Sequence, residues 1–160
     1  MVMTIHLSPQ DITILSLLQL DERLTTQQIA ARLNMSQSPC WRRINRLQEA
    51  GFISGQPTIL NRQKLAMEVV VFATVNLSSQ GRSNLERFEQ QVQAFAEVVE
   101  CYTMAGSWDY MLKIVTRNIH HYEQFVRNQL TTLADIGEVH SHIAVTEIKN
   151  TTALPLATQL

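Results

Sequence analysis

Two short runs carry side chains that could do chemistry. In the first, Gln37, Ser38, Trp41, Arg42, Arg43 and Arg46 fall close together. Arginine can bond guanine with two parallel hydrogen bonds, or a phosphate less specifically, and Gln or Ser near a helix start can reach base edges; the run therefore suits double-stranded DNA. A solvated, arginine-bearing surface helix would read the same way residue by residue. In the second run, Gly106, Ser107, Trp108 and Asp109 set one carboxylate beside backbone N–H groups, an arrangement able to hold the ammonium and carboxylate of an amino acid. A hairpin turn capped by Asp109 is the simpler alternative. His120-His121 and His140 with His142 have spacings that could chelate a metal, but no Cys or carboxylate partner is evident, so no metal or cofactor is expected. Cys40 and Cys101 lack C-x-x-C spacing and are expected to be buried thiols. No nucleophile-elbow, P-loop, zinc-protease or dinucleotide-binding string occurs, and an enzyme is not expected.

The elements that must position these runs follow from caps and periodicity. Ser8, followed by Pro9 and by Asp11 three residues on, opens a helix to about Leu20 with Ile14, Leu15 and Leu18 as its stripe. Thr25 and Gln28 repeat the device for a second helix, in which Ile29, Ala30 and Leu33 face inward and Asn34 makes the left-handed exit. Ser36 is the expected cap of a third, with Pro39 in its first turn, Cys40, Ile44 and Leu47 inward, and Gly51 closing it. The second and third helices form a helix-turn-helix whose third helix carries the Arg run. Charge agrees: residues 1–64 hold seven basic and four acidic side chains, whereas residues 65–160 hold six and ten, so the first part is the one suited to a polyanion.

Residues 65–149 alternate strand and helix signals. Val69 to Leu77, Val98 to Met104, Tyr110 to Val115 and Val139 to Glu147 read as strands. Leu85, Phe88, Val92 and Phe95 mark one helix; a second, capped by Asn118, uses Tyr122, Phe125, Val126, Leu130 and Leu133. The order is βαββαβ, a ferredoxin-like α+β arrangement with both helices on one sheet face, and the other face predicts a homodimer. The N-terminus lacks a basic signal-peptide region and the most apolar stretch, Val69 to Val75, is far shorter than the roughly 20 residues of a bilayer span, so a cytoplasmic protein without membrane contact is expected.

The residues Leu7, Asp11, Ile14, Leu15, Leu18, Gln19, Arg23, Ile29, Ala30 and Leu33, then Ser36, Ser38, Pro39, Cys40, Trp41, Arg43, Ile44 and Leu47, then Gly51 and Ile53, resemble the opening of the Lrp/AsnC family of bacterial and archaeal regulators. The resemblance extends over nearly the whole chain, with Ser8 in place of a common acid and Ala66-Met67 where Leu-Gly is usual. It implies a winged helix-turn-helix (1–52), a linker strand (53–64), a sensing and dimerisation domain (65–149) and a tail (150–160), assembled as dimers and often as octamers of four dimers. It also makes Gly106 to Asp109 similar to the family's G-x-x-D effector loop, with the rest of the pocket supplied by a neighbouring dimer near Ile136, Gly137 and Glu138. Pro39-Cys40-Trp41, Met104 to Tyr110 and the tail Ile148 to Pro155 resemble a proteobacterial branch that includes cysteine-responsive members, which implies cysteine, methionine or leucine as effector ahead of charged amino acids. A transcriptional regulator is the reading; a DNA-wrapping architectural protein is an alternative. Sirohaem decarboxylases resemble the same architecture, but Val99 to Gly106 lacks the His and Arg expected of them.

Overall fold

The computed structural model describes residues 6–156 apart from Glu22, Gln56, Gln80 and Ala134; the extreme ends of the expected first domain and tail lie outside the described residues. The chain divides into two compact units, Met1–Ile59 with Lys149–Leu160, and Leu60–Ile148.

In the first unit, the caps set the helices. Helix α1 (Pro9–Leu20) begins with the Ser8–Asp11 capping box, and α2 (Thr26–Arg32) with that of Thr25 and Gln28. Asn34 (φ 51°) and Gly51 (φ 77°) take the left-handed conformations that end α2 and α3 (Gln37–Glu49). Ile14, Ile29, Ala30, Cys40 and Leu47 close the core from all three helices. One expected cap is absent: the Ser36 side chain makes no capping bond. The N3 position is Pro39, which has no N–H for the serine to receive. The tail is not separate from this unit, because Gln19 Nε2 donates to Leu154 O (2.9 Å) and Leu154 N donates to Gln19 Oε1 (2.9 Å).

The second unit is a four-stranded antiparallel sheet in the order β2-β3-β1-β4. Its elements are β1 (Val69–Leu77), α4 (Arg82–Gln93), β2 (Val98–Thr103), β3 (Tyr110–Thr116), α5 (Ile119–Asn128) and β4 (Ile136–Ile143). Val71, Ala73 and Val75 alternate inward beside Tyr110, Leu112 and Ile114, and meet Phe88 and Val92 of α4 and Tyr122 and Phe125 of α5. The opposite face shows Phe72 (37% exposed) and Tyr102 (55%), with Lys113 bonded to Glu100 (2.7 Å).

Strands β2 and β3 end within one residue of expectation, at Thr103 and Thr116, and other boundaries or environments differ more. Helix α5 stops at Asn128, so Leu130 lies in a following 3-10 turn and Leu133 beyond it. Thr131 and Thr132 turn their hydroxyls back onto the carbonyls of Val126 (2.9 Å) and Gln129 (2.7 Å), a local alternative to helical bonding. Strand β4 starts at Ile136 and ends at Ile143, because Ala144 already bonds Val70 and β1 begins at Val69, leaving Val145 to Glu147 no ladder. Among the described residues, 53–64 form no strand, since no segment of this chain pairs with them. Cys101 is exposed rather than buried, because β2 is an edge strand.

Candidate functional site

Helix α3 presents Gln37, Ser38, Trp41 (55% exposed) and Arg42 to solvent on the side away from Cys40 and Leu47. Without a side-chain cap, the N–H groups of Gln37 and Ser38 in its first turn can meet an anion. Arg43 and Arg46, which the sequence groups with these residues, are already engaged. Arg43 Nη1 donates to Asp11 Oδ1 (3.1 Å) and Arg46 Nη2 to Asp11 Oδ2 (2.8 Å), while the Asp11 side chain is only 1% exposed. Burial on its own would raise the Asp11 carboxyl, but hydrogen bonds from the Ser8 side chain and backbone and from Arg43, with the charge of Arg46, hold it below the ordinary carboxylate value. The cluster fixes α3 against the start of α1. The capping box pointed to Asp11 only as a local cap; its second role depends on residues 32 and 35 positions later, which no local motif reveals. Half of the Arg46 side chain is still exposed, so its remaining N–H groups can meet a phosphate.

The second site gathers at one end of the sheet. Gly106 holds φ 145°, a backbone region that favours glycine. Asn76, near the end of β1, ties the loop down: its Nδ2 donates to Ser107 O (3.1 Å) and its Oδ1 accepts from Asp109 N (3.0 Å). Asp109 Oδ2 accepts from Leu77 N (2.8 Å), so this carboxylate shapes the turn whatever else it binds. On the other side of β1, Ile136 and Glu138 pair with Leu77 and Asn76. A Cβ on Gly137 would sit 3.2 Å from Asn76 O and Ser78 N, which explains the glycine by close approach. Trp108 packs its ring 4.5 Å from that of His140. The two groups of residues expected in the effector pocket thus flank Asn76 and Leu77 within one chain. Asn76 was not singled out in the sequence, because its partners are set by strand register rather than by a local motif. Among the described residues, no group of three or more His, Cys, Asp or Glu is placed to hold a metal ion.

A three-helix unit with an exposed arginine-bearing helix, followed by a βαββαβ unit with a glycine-aspartate loop, defines a DNA-binding protein with a separate ligand-binding domain. Residues 7–54 match the winged helix-turn-helix DNA-binding family and residues 70–154 the Lrp/AsnC ligand binding domain. The chain belongs to the Lrp/AsnC family and is a DNA-binding transcriptional regulator. It is 35% identical over 154 residues to the transcriptional regulator AzlB of Bacillus subtilis, covering 96% of this chain and 98% of that one. It is 32% identical over 150 residues to the leucine-responsive regulatory protein of Rhizobium meliloti, covering 94% and 96%. Its fold matches the structure of a transcriptional regulator from Neisseria meningitidis in complex with L-Met, with TM-score 0.93, 30% identity, and coverage of 97% and 100%. Among the described residues, no helix is long and apolar enough to cross a membrane.

Proposed function

We propose that α3 lies in the major groove, with Gln37, Ser38, Trp41 and Arg42 at the bases or phosphates, and that a small amino acid at the Gly106–Asp109 loop sets the affinity or assembly of the complex. The exposed face of α3, held by the Asp11 cluster, carries the first part of this reading. Arg42 reaches the groove, whereas Arg43 and Arg46 act first as positioning residues. Two chains join through the helix-free sheet face around Phe72 and Tyr102, and place two α3 helices on half-sites about one or more turns apart. The segment 53–64, which pairs with no strand among the described residues, is available to pair with its counterpart, and dimers can associate further. The L-Met complex of the similar Neisseria protein supports an amino acid effector, and Ile136, Gly137 and Glu138 place further groups beside the same loop. The protein acts as a cytoplasmic regulator and not as an enzyme, as the names of its relatives support.

The test uses an operator selected from random-sequence DNA. Arg42→Ala is expected to lose ~1–3 kcal/mol of specific affinity while keeping the wild-type melting temperature. Wild-type affinity would remove Arg42 from the interface. For the effector, thermal shifts with each of the twenty amino acids identify the binder by mass action. Asp109→Asn retains an acceptor for Leu77 N but removes the charge that would meet an ammonium, so it should lose the shift and stay folded. An unchanged shift would reduce the loop to a turn.

A further inference from the structure

Away from that loop, the end of β3 opens into a cavity. Strand β3 starts at Tyr110 beside the loop and ends at Thr116, where the cavity lies, about 20 Å away at roughly 3.3 Å per residue. The cleft measures about 440 Å³, within the roughly 300–1,000 Å³ typical of small-molecule sites. Met67, Glu97, Arg117, His121, Gln124 and Phe125 line it. Arg117 follows β3 directly, and Glu97 precedes β2, its carbonyl accepting from Val115 N (2.8 Å). The topology therefore brings one cation and one anion to the same cleft. Among the described residues, neither side chain is engaged in a hydrogen bond or an ion pair, with the other or elsewhere. Two opposite charges that line one cleft without closing on each other leave a place for a ligand that carries both.

We propose that this cleft binds a compact zwitterion, its carboxylate on Arg117 with His121 as a second donor, its ammonium on Glu97, and its frame against Met67 and Phe125. The polar amide of Gln124 allows a hydrogen-bonding substituent. The site is separate from the proposed effector loop and does not depend on it. It also has a route to the rest of the protein: Met67 forms part of the lining, and its carbonyl accepts from Arg62 Nη1 (2.7 Å) on the segment that leads back to the DNA-binding unit.

The experiment is calorimetric titration of the full chain with the twenty L-α-amino acids and, for each one that binds, its N-acetyl and carboxamide forms. Arg117→Gln and Glu97→Gln each remove one charge-assisted contact, and each should weaken one class of site about tenfold or more. Arg117→Lys should restore part of the loss, and blocking either end of the ligand should mimic the corresponding variant. Arg117 is exposed, so melting curves of its variants should match wild type. The class of site lost in Arg117→Gln should persist in Asp109→Asn. If Asp109→Asn abolishes all binding, or if isotherms of both cleft variants equal wild type, the cleft proposal falls. If instead Asp109→Asn leaves every isotherm unchanged while Arg117→Gln removes binding, the cleft stands and the loop reading falls.

Discussion

Asp11 and Asp109 both stand at the start of an element and both pin a neighbouring segment, but with different partners. Asp11 is wholly buried and receives two guanidinium groups from α3. Asp109 is only partly buried and receives the backbone N–H of Leu77. A buried carboxylate facing two cations works by its charge, since a neutral replacement leaves the arginines uncompensated. A carboxylate that accepts from a backbone N–H works, for that bond, as an oxygen atom, and an amide can stand in. The structural role of Asp109 can therefore be separated by substitution from its proposed role toward a ligand, whereas the structural role of Asp11 is inseparable from its charge.

The largest effect should follow from Asp11→Ala. It removes the carboxylate half of the capping box and both ion pairs, and we expect the helical unit to lose about 2–4 kcal/mol, with DNA affinity falling as α3 loosens. Both arginines are partly exposed and can rehydrate, which keeps the loss from going higher. Denaturant melts of wild type and variant measure it; a difference under about 0.5 kcal/mol, the range of an ordinary surface change, would show that the cluster contributes nothing to stability.

The same carboxylate sets a pH window. Its folded-state pKa is depressed below the ordinary 3.8, so its contribution is complete above that value and is lost as pH falls through the lower folded-state value. The gap in stability between wild type and Asp11→Asn should therefore hold steady from about pH 7 to about pH 5 and shrink below about pH 4. A gap independent of pH down to about pH 3 would mean that Asp11 does not act through its charge.

Asp109 should respond more gently. Asp109→Ala strands the Leu77 N–H near the end of β1 and should cost the sheet unit about 1–2 kcal/mol, while Asp109→Asn should stay within about 0.5 kcal/mol of wild type. Equal losses in the two variants would show that charge matters at this turn too, and would erase the contrast with Asp11.

The same contrast marks what the sequence could reveal. Ser8-Pro9-x-Asp11 and Thr25 to Gln28 located two helix starts, because capping is local chemistry. The outward face of α3 and the inward alternation of β1 and β3 followed from periodicity. The Ser36 cap failed for a reason the sequence already carried, the missing N–H of Pro39 at the N3 position the serine would serve. Arg43 and Arg46 could be grouped with the residues expected to face DNA but not assigned to Asp11, since that contact depends on how α1 and α3 pack. Asn76 and the cleft at Arg117 are likewise products of strand register and topology, which place residues far apart in the chain around one point.

Gln19 offers the smallest effect, where neither charge nor burial is at work. Its amide meets the backbone of Leu154 as donor and acceptor at once, the way a strand residue would. Leu154 is 66% exposed, so apolar burial of this residue adds little beside the two bonds. Exposed bonds of this kind contribute at the low end of the usual range, and Gln19→Ala should cost about 0.5–1 kcal/mol. Gln19→Glu keeps the acceptor for Leu154 N but sets a carboxylate against Leu154 O, so it should release the tail at least as fully as alanine. Amide exchange at Leu154 reports the tether directly: both variants should exchange faster than wild type while the core amides of Ile14 and Ile29 stay protected. If Leu154 exchanges at the same rate in all three proteins, the tail is held by something other than Gln19, and the fit of residues 149–156 into the helical unit needs another cause.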